Sequence, residues 1–89
     1  MKKCPLKVGD WVQSFYAAPW KGVVIGYRLY PAHKLGSKYF PDHWVIDVVP
    51  VLSRTGTRIK KRNVHTLDVH YLKLVDVPDI EVNPDWFKR

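Results

Sequence analysis

The most constraining stretch of this chain is Val8-Gly9-Asp10-Trp11-Val12, followed by Trp20-Lys21-Gly22-Val23-Val24-Ile25-Gly26-Tyr27. It reads as two β-strands joined by a short connection. Gly9 and Gly22 stand where a turn begins or where two backbones come close, because only a residue without a Cβ permits either at no steric cost. Val12 and Val24 are the natural inward pair. Two short strands cannot bury a face by themselves, so strands further along must complete the sheet.

The rest of the chain supplies them. Strands are expected at about 8–15, 21–29, 43–52, 57–67 and 72–75, divided by Pro and Gly, as in an all-β domain. Residues 1–7 read as a basic lead-in with a frayed end, and Tyr16-Ala17-Ala18-Pro19 as the first loop. Strand two is apolar on both faces, so a partner subunit or a later segment of the chain must cover part of its outer side. In strand three Trp44, Ile46 and Val48 share one face. Asp47 sits on the other face, either as a half-exposed strand carboxylate or as a partner for Arg or Lys in a cleft. Pro50 suits a strand edge or a bulge, since it has no N–H to give. Asp68-Val69-His70-Tyr71 looks like one helical turn before the last strand. Val12, Val24, Ile46, Leu72 and Leu74 are then the expected interior. The tail, interrupted by Pro78 and Pro84, ends in Trp86-Phe87-Lys88-Arg89, whose aromatics either pack back on the body or form a docking motif.

At 89 residues and 46% hydrophobic content the chain suffices for one small core. We expect a single domain at 1–76 and a Pro-containing tail at 77–89. No apolar run is long enough to span a membrane, and no apolar segment follows the lysines at the start, so a signal peptide is not expected. Cys4 is the only cysteine, which rules out an internal disulfide and points to the cytoplasm.

A net charge of +7 directs attention to phosphate backbones or acidic proteins as partners. Ser53-Arg54-Thr55-Gly56 reads as a hairpin turn, and Arg58-Ile59-Lys60-Lys61-Arg62 opens the fourth expected strand. Together Arg54, Arg58, Lys60, Lys61 and Arg62 form the densest positive cluster. On a strand, Arg58, Lys60 and Arg62 would point the same way and could neutralise successive phosphates. Equally, such a row could be a charged edge that prevents sheet-to-sheet association. Residues 30–43 form a long expected loop with Tyr30, His33, Lys34, Lys38, Tyr39 and Phe40. Aromatics mixed with cations suit base stacking and phosphate contact; the alternative is a satellite core under the loop. There is no Gly-rich phosphate loop, no metal-ligand spacing and no constellation that specifies acid–base or nucleophilic catalysis. No catalytic residue, metal or cofactor is therefore assigned.

The pattern G-D-x-V, a loop, W-x-G-x-V and a third β-rich run resembles small SH3-like barrels. Gly9-Asp10, Val12, Ala18, Trp20, Gly22, Ile25 and Gly26 resemble the opening of the type II dihydrofolate reductases, the plasmid-borne, trimethoprim-resistant enzymes. A weaker likeness continues through Trp44-Val45 and residues 64–75. The same residues are similar to KOW and Tudor-type barrels. The resemblance implies a five-stranded SH3-like barrel. Within the reductase family it would also imply a homotetramer around one pore, with NADPH and folate held by a Val-Gln-Ile-Tyr segment. Here that segment matches Val64-His65-Thr66-Leu67, where only the valine is kept, and the family's ligand-contacting lysine falls at Ser14. The expectation is therefore a non-catalytic SH3-like module that binds nucleic acid or a nucleic-acid-processing machine. The alternatives are an interaction module for an acidic protein and a reductase-like enzyme using NADPH.

Overall fold

Gly9 and Gly22 meet the two demands expected of them. In the computed structural model, which describes residues 3–15 and 19–88, Gly9 has φ +97°. It forms a turn in which the Asp10 N–H donates to the Lys7 carbonyl at 3.1 Å and the Gly9 N–H to the Val24 carbonyl at 2.9 Å. Gly22 is a close approach: a Cβ there would lie 2.5 Å from the Val49 carbonyl oxygen. These contacts seat strand β1 (Trp11–Ser14) against β2 (Lys21–Tyr30), with Val12 opposite Gly22. The loop expected at 16–19 lies, over residues 16–18, outside the described residues.

The sheet grows outward from that pair. β2 continues into the hairpin β3 (His33–Leu35) and β4 (Lys38–Phe40), then pairs along its length with β5 (His43–Leu52). β6 (His65–Asp68) adds to β5, and β7 (Leu72–Leu74) returns to β1. The main sheet is five-stranded in the order β6-β5-β2-β1-β7. β6 and β7 are its edges, and no closed barrel forms among the described residues. The fold is all-β, and none of its described helices is long and apolar enough to cross a membrane.

The β2–β5 ladder shifts register twice, between Lys21 and Gly22 and between Val24 and Gly26. Pro50 stands opposite Gly22 at the first shift, a place where a missing N–H is tolerated. Each shift adds local bend and twist. Both sheet faces are apolar and both are covered. On one, Val12, Val24, Ile46 and Val48 pack with Leu6, flanked by Cys4, Trp20, Trp44, Val69 and Leu72. On the other, Trp11, Val23, Ile25, Val49 and Val51 pack under Trp86. The cover on strand two is thus the chain's own tail. There Asn83 caps a 3₁₀ turn, Pro84–Phe87, and Trp86 meets Trp11 edge to face at 5.8 Å.

Several expectations need correction. The lead-in is not frayed at Leu6, which is buried. Leu74 is 59% exposed rather than interior, because it ends a short edge strand with a neighbour on one side only. Leu72 is half-buried, and Trp44 is half-buried with its indole N–H enclosed and without a partner among the described residues. The fourth strand does not run from 57 to 67. Arg58 makes one bridge to Leu52, the ladder then lapses, and β6 starts only at His65. The expected loop at 30–43 is largely a β-hairpin arm. β2 and β5 stay paired out to Tyr30 and His43, Pro31 and Pro41 interrupt the ladder, and β3 and β4 resume it around Gly36, at φ +64°. The arm and sheet give an elongated molecule of 45 × 25 × 22 Å.

Candidate functional site

The basic segment leaves the sheet at the end of β5. Gly56, at φ +85°, closes the turn with its N–H on the Ser53 carbonyl at 2.9 Å, and the Ile59 N–H donates to the Val51 carbonyl at 2.7 Å. Past Ile59 the chain crosses the outer side of β5 beside the tail. Ile59, Lys60, Lys61 and Arg62 face Asn83, Asp85 and Trp86 across a concavity of about 290 Å³ floored by Val49 and Pro50. One guanidinium nitrogen of Arg62 donates to the Trp86 carbonyl at 3.2 Å. Asp85 is held by Lys88 at 2.9 Å. Among the described residues, Arg54, Arg58, Lys60 and Lys61 are exposed and make no ion pair.

Arg62 also lines a second concavity, of about 330 Å³, with Ile25, Arg28, Asp47, Val64 and Thr66. The Thr66 hydroxyl donates to the Asp47 carboxylate at 2.7 Å. Asp47 is a half-buried carboxylate of β5, as one of its two readings had it, and it lines this concavity together with Arg28 and Arg62. Arg28 continues the row: its guanidinium stands 5.7 Å from the Tyr30 ring centre, and Tyr30 stacks on His43 at 5.6 Å. The His43 Nδ1–H donates to the Pro41 carbonyl at 3.1 Å, and its Nε2 faces Asp68 at 3.9 Å.

Asp68 ties the base of this arm to the 3₁₀ turn Val69–Tyr71. Its carboxylate accepts the His70 backbone N–H at 2.9 Å and the His70 ring Nδ1–H at 2.6 Å. A carboxylate can only accept here, which fixes the proton on Nδ1. Partial burial by itself would raise the Asp68 pKa, but the His70 bonds and the charges of His70 and His43 outweigh it and hold the group below its ordinary value.

Lys34, Lys38, Tyr39 and Phe40 lie on the arm and are exposed. Lys34 pairs across the ribbon with Tyr39, Leu35 with Lys38, and His33 stacks on Phe40 at 5.0 Å. The structure does not bring these residues next to Arg54 and Arg58. They sit at opposite ends of β5, whose ten residues span roughly 30 Å at about 3.3 Å each. Arg28 was missed by sequence reasoning, since one arginine in an apolar strand carries no motif; the register that places it opposite Val45 and beside Asp47 is a tertiary fact.

Of the positions singled out by the reductase resemblance, Ser14 is fully buried, at 0% exposure. His65 packs its ring 5.4 Å from Trp20. Among the described residues no cluster of His, Cys, Asp or Glu could hold a metal ion. Comparisons with protein-family models, with curated proteins and with solved structures return no match.

Proposed function

We propose that this protein is a non-catalytic, SH3-like binding module of the cytoplasm that contacts nucleic acid through its basic segment. The observation that carries the reading is the segment itself: Arg54, Arg58, Lys60 and Lys61 are exposed and, among the described residues, without carboxylate partners, in a chain of net charge +7. Cations that stabilise a surface are commonly paired; these stand ready to neutralise phosphates. Because the segment has left the ladder, its side chains follow an irregular path rather than a strand's fixed row. The SH3-like assignment draws support from the sheet order, in which the last strand follows a 3₁₀ turn and returns to pair with the first. A reductase reading has less behind it, since the family's amide, hydroxyl and ammonium are replaced by His65, Leu67 and Ser14.

The test is fluorescence anisotropy of labelled duplex and single-stranded oligonucleotides across a salt series. Affinity should fall linearly in log–log form. Lys60→Ala with Lys61→Ala should reduce the slope on duplex by about 1.8, at about 0.9 for each phosphate no longer neutralised. No binding at low salt, or an unchanged slope in the variant, would transfer the segment to an acidic protein partner or to a purely protective edge.

A further inference from the structure

The structure connects cations that the sequence keeps apart. Arg62, at the end of the basic segment, shares one concavity with Arg28 of β2. Arg28 reaches Tyr30, Tyr30 stacks on His43 at the base of the arm, and the arm carries Lys34 on one face of its ribbon and Lys38 on the other, one toward each wall of a groove that holds it. The row follows the β2–β5 ladder, and the molecule is 45 Å in its longest dimension. Asp47 lies within the row, but its carboxylate already accepts the Thr66 hydroxyl and is outnumbered by two guanidiniums. It orders the concavity without reversing its sign.

We propose that this row is one continuous surface for B-form duplex DNA, with the hairpin arm seated in the major groove and the basic segment on the flanking backbone; the proposal rests on the nucleic-acid reading above. Shape and chemistry favour duplex DNA. A two-stranded antiparallel ribbon is the β-element that a major groove about 12 Å wide admits. The deep, narrow major groove of A-form RNA excludes it. The ring faces on the arm are mostly engaged with each other, Tyr30 with His43 and His33 with Phe40. Tyr39 is the aromatic of the arm with no ring partner among the described residues, and a single-strand platform stacks successive bases on several such rings.

A surface of this length makes affinity depend on duplex length. The molecule is 45 Å long, so a site along it covers at most roughly 13 base pairs at about 3.4 Å each. Duplexes of about 8 and about 20 base pairs therefore bracket it and are compared by anisotropy at one salt concentration, after division by the number of binding registers. The longer duplex should bind about tenfold tighter or better, since it joins both ends of the row in one complex. Lys34→Ala with Lys38→Ala should remove that advantage and leave the short duplex unaffected. The inference is overturned if the corrected affinities are equal, if the arm variant weakens both lengths alike, or if a single strand outcompetes the duplex and Tyr39→Ala abolishes that preference. Salt-dependent binding with no length effect would leave the basic segment as a nucleic-acid contact and remove the arm from it. Absence of binding to every oligonucleotide would remove both.

Discussion

β2 and β5 form one ladder with two environments. In the body, Val23, Val24, Val48 and Val49 are buried, and each such side chain contributes about 1.5–3 kcal/mol through its removal from water. Beyond the shift at Gly26 burial continues on β5 through Ile46 and Val45, and then the ladder runs out into solvent, where residues 30–41 are all exposed. The arm holds together by other means: backbone pairing, a turn at Gly36 and stacked cross-strand rings worth roughly 0.2–1 kcal/mol each. An isolated hairpin on those terms is marginal. Continuity with a buried ladder sustains it. The contrast separates stability from contact: apart from the stacked ring pairs, side chains on the arm are exposed and carry no share of the buried core.

The sharpest way to break this contrast is to truncate an aromatic in each region. Trp86→Ala strips the cover from Trp11, Val23 and Ile25 and should cost about 3–5 kcal/mol. Tyr39→Ala, on the exposed arm, should change stability by less than about 0.5 kcal/mol. Urea unfolding followed by tryptophan fluorescence and circular dichroism measures both. A small loss at Trp86, or a large one at Tyr39, would erase the division between body and arm.

A smaller effect is expected where the two regions join. Asp68 has a folded pKa below its ordinary value of 3.8. Its contribution is therefore present above that value and is lost as pH falls through the lower folded value. The wild-type unfolding midpoint should drop more steeply on acidification below about pH 4 than that of Asp68→Asn. Parallel curves would mean that the bonds to His70 do not stabilise the junction.

Much of the body was legible in the chain. Val12, Val24 and Ile46 are interior because alternation placed them on one face. The turn at Gly9, the close approach at Gly22 and the helical turn after Asp68 followed from residue chemistry. Leu74 followed the same alternation and failed, because alternation says which face a residue takes and not whether anything covers that face. The arm was less legible. Gly36-Ser37 between His33-Lys34-Leu35 and Lys38-Tyr39-Phe40 is a readable two-residue turn signal, but Pro31 and Pro41 mask it as an irregular loop. In the basic segment, the hairpin turn at 53–56 led to the expectation of a strand from 57. The ladder lapses there instead, so the cations are laid out by the path of the chain. Their connection to the arm through Arg28 depends on strand pairing between distant residues, which no local pattern carries.

Amide hydrogen exchange, with and without a duplex longer than about 13 base pairs, tests the division of labour most directly. In the free protein, amides of the body ladder should be protected, while residues 33–40 and 54–62 exchange quickly. Adding DNA should slow exchange in the arm and the basic segment together and leave the body unchanged. Protection confined to one of the two segments, or appearing instead around Leu74 and Val77 on the opposite side of the sheet order from β6, would contradict the account.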